Sequence, residues 1–363
     1  GDVKVDQLPS RVIHERRKTR SVELEDDAGT SVAQKVFQKV LELSKQVSEE
    51  EDVSHKEWDT ENLLPDLLGE TNPAAMANSM LALVKRVTAI LKAQPTLTEV
   101  KAPCKIFGDL HGQCRDLLLL MHSFGVPGTP DCPHAVFNGD FVDRGKQQLE
   151  TVTILFALKV LFPTQIFLNR GNHEDTTMNH KYGFEAAAMS PFGPELGLHV
   201  YDAFATAFTY LPLATLIGGK VLALHGGIGD GKWALDDVRR AQRPLTHENL
   251  QEPDNRILWN ILWSDPIEDD TSGQSVFGVH NSPRSKMAFK FGWNVTQAFC
   301  ARNALDLVVR SHQSKKGGLG FDVMHNEKLV RVFSARDYEG NDNDGAVLQV
   351  QEEEDGCLSV RSQ

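Results

Sequence analysis

Five short apolar runs each stop at residues able to hold a metal ion or a phosphate. Ile106-Phe107 leads into G-D-L-H-G, and Ala135-Val136-Phe137 leads into N-G-D-F-V-D-R-G. Gln165-Ile166-Phe167-Leu168 leads into N-R-G-N-H-E, Val221-Leu222-Ala223-Leu224 into H-G-G, and Leu307-Val308-Val309 into R-S-H. β-rich runs this short, alternating with helical segments, predict an α/β domain. In such domains ligands collect beyond the carboxyl ends of strands, on loops held by a rigid frame. The candidate metal ligands are Asp109, His111, Asp140, Asn172, His225 and His312. They offer oxygen and imidazole without thiolate, which suits Mn, Fe or Zn and a two-metal site more than a lone structural ion. One D-x-H would be weak evidence, whereas five strand ends with this chemistry in one chain are strong evidence.

Taken in order, G-D-L-H-G-Q, G-D-F-V-D-R-G, R-G-N-H-E, H-G-G and W-S-D-P resemble the signature set of the PPP-type serine/threonine phosphatases, within the metallophosphoesterases. The resemblance runs from about Lys101 to Val350. V-F-N-G-D-F-V-D-R-G, L-N-R-G-N-H-E-D and M-N-H-K-Y-G-F are similar to the protein phosphatase five and EF-hand phosphatase branches. Q-P-T-L-T-E-V-K-A-P-C-K-I-F-G-D resembles the entry to the Kelch-linked branch.

The resemblance implies a central β-sandwich with helices on its outer faces and metals at the loop end. It implies that Asp109 and His111 hold one metal ion, that Asp140 bridges, and that Asn172, His225 and His312 hold the second. His173 becomes the general acid, oriented by Asp143. Arg144 and Arg284 grip phosphate beside Asn172, with Tyr338 at the rim; Arg336 is a rival to Arg284. The implied reaction is one-step hydrolysis of phosphoserine or phosphothreonine in proteins by hydroxide on the metal pair. A regulatory or targeting protein is the further partner expected. Independent chemistry points the same way. Phosphate monoesters need on the order of 20 kcal/mol of catalysis, a serine alkoxide leaves poorly without an acid, and imidazole is suited to that task at neutral pH. The same frame also serves phosphodiesterases and dinucleotide polyphosphate hydrolases. A non-catalytic scaffold would be expected to have lost a ligand.

One block departs from the family wording. Where S-A-P-N-Y is usual, this chain reads Ser334-Ala335-Arg336-Asp337-Tyr338, followed by Glu339. The resemblance implies that these new charges lie beside the cleft and bear on substrate preference and toxin sensitivity. Trp263-Ser264-Asp265-Pro266 reads as a structural turn, and Asn341 to Gly345 as a β-turn instead of a calcium loop, because Gly340 and Gln351 stand where Asp and Glu are wanted.

The formal charge of -12 argues against non-specific nucleic-acid binding. Runs such as Leu117 to Met121 are far short of the roughly 18 residues of a membrane span. No secretory leader pattern opens the chain. Five cysteines, with no C-x-x-C pair, fit reduced thiols and a cytoplasmic or nuclear setting. Apolar periodicity predicts helices over 31–48 and 74–92. The expected organisation is a mobile charged segment over 1–30, a helical extension over 31–98, a catalytic domain over 99–351 and an acidic tail over 352–363.

Overall fold

The structure, a computed structural model, describes residues 28–49, 58, 62–271, 273 and 275–363. The charged segment expected over 1–30 lies outside the described residues apart from Ala28, Gly29 and Thr30.

The strands are β1 (Leu97–Val100), β2 (Cys104–Phe107), β3 (Ala135–Phe137), β4 (Ile166–Leu168), β5 (Ala214–Ile217), β6 (Val221–Leu224) and β7 (Asp265–Pro266). Then come β8 (Val279–Asn281), β9 (Phe289–Phe291), β10 (Leu307–Arg310), β11 (Phe321–Met324), β12 (Leu329–Val332), β13 (Val347–Glu352) and β14 (Leu358–Ser362). They form a six-stranded sheet ordered β1-β5-β6-β10-β12-β11, a five-stranded sheet ordered β14-β13-β2-β3-β4, and a small sheet ordered β7-β9-β8.

Side-chain alternation packs the two large sheets face to face. Ile106, Val136 and Phe167 meet Val221, Ala223, Val309 and Val332 between the sheets. One residue along, Phe107, Phe137 and Leu168 pack outward among helices instead. Leu222 and Leu224 do the same on the opposite side. A period of two therefore divides each strand between an inter-sheet core and a helix-covered face. Each fully buried aliphatic side chain contributes about 1.5–3 kcal/mol. The result is a mixed α/β sandwich flanked by helices, as expected.

The helices on the five-stranded sheet's side begin with α1 (Ala28–Glu49), α2 (Leu63–Leu68) and α3 (Pro73–Ala93). They continue with α4 (Cys114–Phe124), α5 (Gln148–Leu161), α6 (Thr176–Tyr182), α7 (Phe184–Met189) and α8 (Pro194–Phe208). The Asn72 side chain caps α3 by accepting from the backbone N–H groups of Ala74 and Ala75, with Pro73 opening the helix. By length and composition α3 could cross a bilayer. Its inward face, including Met80, Leu83 and Val87, is instead packed in one apolar core with Val36 and Val40 of α1, Ile154 of α5 and Phe204 of α8.

Two boundaries differ from the sequence expectation. The region 31–98 ends inside β1, which pairs in parallel with β5 and so ties it to the six-stranded sheet. The region 352–363 contains β14, an antiparallel partner of β13. Alternate residues of Leu358–Ser362 give that segment an extended pairing partner that its acidic neighbours disguise.

Candidate active site

β2, β3 and β4 run parallel, as do β6 and β10 in the facing sheet. Their following loops gather at one edge and are stitched together through backbone groups. The N–H groups of Leu110 and His111 donate to the Asp140 carbonyl at 3.0 and 2.9 Å. Ser311 donates to the His225 carbonyl at 2.9 Å, and Asp109 forms a bridge with Phe333. The β3 and β4 loops touch backbone to backbone. A Cβ on Gly139 would lie 2.5 Å from the Gly171 Cα, and one on Gly171 would lie 2.2 Å from Asp140 Oδ1. Several candidate residues pay for this convergence with left-handed backbone: φ is 43° at His111, 54° at Asp140, 68° at Asp143, 77° at Arg144 and 71° at His312. Such positions in non-glycine residues each cost about 1–3 kcal/mol and cluster at functional sites.

Asp140 sits at the centre. Its Oδ2 lies 3.5 Å from His111 Nε2 and 3.2 Å from His225 Nε2. Around His225 Nε2 stand Asn172 Oδ1 at 2.9 Å and His312 Nδ1 at 3.1 Å. Asp109 Oδ2 lies 3.7 Å from His111 Nε2. The other ring nitrogens of the two histidines are occupied: His225 Nδ1 lies 2.9 Å from the Asn138 carbonyl, and His111 Nδ1 lies 3.0 Å from the Val142 carbonyl. These carbonyls assign the N–H to Nδ1 and leave each Nε2 aimed at the carboxylates, the outer-shell arrangement typical of metal-binding imidazoles.

Burial pushes Asp109 upward, because a carboxylate there has little water. Burial also opposes charge on Asp140, but the imidazoles of His225, His173 and His111 outweigh it and hold Asp140 well below the usual range. Burial drives His111 down to about 3, so it stays neutral with a lone pair to donate. His225 moves the other way, to about 9, because Asp140 overcomes the penalty of its burial. Two buried carboxylates thus draw positive charge into the pocket. Asp109 Oδ2 is buried without a hydrogen-bond partner. An orphaned carboxylate oxygen among convergent imidazole and amide donors fits a bound cation. Two overlapping groups, one with His111 and one with His225 and His312, share Asp140.

His173 also lies close to His111 and Asp140, but its Nδ1 is taken up by Asp143 Oδ2 at 2.7 Å. Asp143 is itself fixed by the Phe184 N–H at 3.0 Å and Asn179 Nδ2 at 3.3 Å. Burial lowers the His173 pKa, yet the charge of Asp140 and the bond to Asp143 more than offset this and raise it. A cavity of about 300 Å³ is lined by Asp109, His111, Asp140, Asn172, His173 and His312, together with Arg144, Arg284 and Tyr338. The Tyr338 ring stacks on His111 with centroids 4.8 Å apart. His225 lies behind this lining and is fully buried.

The candidates from distant segments are therefore brought together. Arg284 reaches the cavity, anchored through Nε to Asp265 Oδ2 at 2.5 Å. Its rival Arg336 instead bonds Asp116 at 3.0 Å. The reading of Trp263 to Pro266 as a turn needs correction. Trp263 ends a helix and lines the cavity, while Asp265 opens β7 and holds both Arg284 and the buried Arg310. Glu174 had no assigned role in sequence. Its carboxylate accepts from the N–H groups of Asp140, Phe141 and Gly171, at 2.9, 2.8 and 2.8 Å, locking two ligand loops together. Its place in R-G-N-H-E was the available signal.

Residues 102–316 match the family model described as calcineurin-like phosphoesterase. The chain is 38% identical over 275 residues to serine/threonine-protein phosphatase T of Aspergillus oryzae, covering 74% of this chain and 53% of that protein. It is 37% identical over 275 residues to serine/threonine-protein phosphatase BSL2 of Arabidopsis thaliana, covering 75% of this chain and 26% of that protein. The chain thus spans about half the length of the first relative and about a quarter of the second. A solved Saccharomyces cerevisiae serine/threonine phosphatase, described as similar to human phosphatase PP5, superposes with a TM-score of 0.70 at 30% identity, covering 83% of this chain and 93% of that one.

Proposed function

From this chain's membership of the calcineurin-like phosphoesterase family, we propose that it is a metal-dependent phosphatase that hydrolyses phosphoserine and phosphothreonine in proteins in one step. The observation that carries this reading is the His173–Asp143 pair, 2.7 Å apart, opening onto the same cavity as the Asp109, His111, Asp140, Asn172 and His312 cluster.

Asp109 and His111 would hold one cation, Asn172, His225 and His312 a second, and Asp140 both. Manganese, iron and zinc suit this donor set. When bound, the cations would acidify water near neutral pH and offset charge on phosphoryl oxygens. The chain's own groups supply the rest. Arg144, its guanidinium stacked 3.9 Å over the Tyr182 ring, and Arg284, held by Asp265, offer forks that match phosphate oxygens bidentately. Asn172 lies beside them, and Tyr338 borders the cavity. The charge of Asp140 and the hydrogen bond to Asp143 raise the His173 pKa against its burial and so favour the imidazolium, and His173 delivers its proton to the departing serine or threonine oxygen. A regulatory or targeting partner and a cytoplasmic or nuclear setting belong to the same proposal; the unpaired cysteines support the setting.

The test compares manganese-loaded protein on a phosphoserine peptide, a dinucleotide polyphosphate and a phosphodiester. The expected result is the highest kcat/KM on the phosphopeptide. Preference for either other substrate, or no turnover of any monoester by metal-replete protein, overturns the reading.

A further inference from the structure

The guanidinium assigned to phosphate already has an anion. Arg144 Nη1 donates to Glu339 Oε1 at 2.7 Å, across 195 positions of sequence. Both residues line the candidate active-site cavity. Glu339 directly follows the stretch Ser334-Ala335-Arg336-Asp337-Tyr338.

The loop carrying Glu339 is built, not loose. Glu339 has φ 52° and Asp337 has φ 44°, both left-handed without being glycine. Asn343 over-determines that conformation: its Oδ1 accepts from the Tyr338 N–H at 2.9 Å, its carbonyl accepts from the Asp337 N–H at 2.8 Å, and its Nδ2 donates to the Ala335 carbonyl at 2.8 Å. On the flank, Asp116 accepts from the Arg336 backbone N–H at 2.9 Å and from its Nε at 3.0 Å. Tyr182 fixes the guanidinium from its face. A loop fixed in this way holds the Glu339 carboxylate against Arg144.

The contact is also releasable. Arg144 and Glu339 keep 31% and 49% of their side-chain surface exposed. They also border a neighbouring cavity of about 500 Å³, whose walls include Lys146 and Lys181. A carboxylate leaving Arg144 has room there and cations to face.

We propose that Glu339 is a resident competitor for the phosphate-binding arginine and sets the affinity of the site for every anion that binds there. This rests on the reading of Arg144 as a phosphate ligand. While the pair is closed, that arginine is withheld, and apparent affinity falls by the fraction of molecules in which it is open. Exposed ion pairs of this kind are worth roughly a 2- to 5-fold change in an equilibrium. Because displacement precedes binding of any such anion, the factor is common to all of them.

The experiment uses manganese-loaded full chain in four forms: wild type, E339Q, R144A and the double variant. It measures the Ki of inorganic phosphate and the KM for a phosphoserine peptide and for an aryl phosphate. The expected result is that E339Q lowers the Ki and both KM values by one common factor of about 2 to 5. The double variant should then match R144A, since the competitor has nothing left to occupy. E339A serves as the check that the Gln amide has not replaced the contact. The proposal falls if E339Q and E339A leave the phosphate Ki unchanged or raise it while R144A weakens phosphate. It also falls if the gain persists in the R144A background, which would mean general charge repulsion. An R144A protein with unchanged phosphate Ki instead removes the assignment of Arg144 itself, and this proposal with it.

Discussion

In the proposed mechanism the two nitrogens of His173 have separate tasks. Nδ1 is committed to Asp143 at 2.7 Å, which fixes the tautomer and would leave Nε2 to serve as the acid. His173→Asn should therefore preserve metal content while lowering turnover of alkyl phosphates by about 10²–10⁴-fold. Aryl phosphates, whose leaving groups need little protonation, should suffer much less. Metal analysis alongside turnover of both substrates checks this; an equal loss on both would argue against an acid role. At this scale the candidate ligands were legible in sequence because each stands within a few residues of the end of an apolar run. What could not be read was pairing across distance. Asp265 gripping Arg284 and Arg310, and Glu339 gripping Arg144, join residues whose local surroundings carry no trace of the partner. The left-handed backbone at His111 and Asp140 was equally hidden, because His and Asp are enriched at positive φ but only a few per cent of non-glycine residues adopt it.

At the scale of elements, short strands act as struts and the loops do the joining. β2, β3, β4, β6 and β10 were each readable as apolar runs of four or fewer residues with a polar stop. The sheet of β7, β9 and β8 was not, since its strands are two or three residues long and largely polar in β8. One close joint is the backbone contact between the loops after β3 and β4. Gly139 has φ 93°, and a Cβ there would also sit 2.8 Å from His225 Nδ1. Gly139→Ala should therefore push the two loops apart, reduce bound metal and lower stability, because both the conformation and the space exclude a side chain. Calorimetric unfolding with and without manganese reads this out. A variant with wild-type metal content and an unchanged transition would show that the close approach is dispensable.

At the scale of the whole molecule, the helices before β1 belong to the same core as those around the active site. Leu83 of α3 and Val40 of α1 are fully buried in the cluster that also contains Leu149 and Ile154 of α5. α5 in turn begins at Gln148, whose Oε1 accepts from the Asp143 N–H at 2.9 Å. The N-terminal helices thus brace the helix that positions the carboxylate behind His173. Helical periodicity made α1 and α3 legible, but not which surface they cover, since an amphipathic stripe names no partner. Deleting residues 1–95 should expose the apolar faces of α4, α5 and α8 and give insoluble or unfolded protein. A soluble fragment of 96–363 with full turnover would show that these helices are separable from the catalytic frame.

The central claim is that loops far apart in sequence converge on Asp140 to hold two cations opposite His173. Metal equivalents bound per chain, measured on desalted wild-type and Asp140→Asn protein after manganese loading, test it most directly. The expected result is two equivalents in the wild type and the loss of both in the variant, with folding otherwise intact by circular dichroism. Two equivalents retained by a folded Asp140→Asn protein would contradict it.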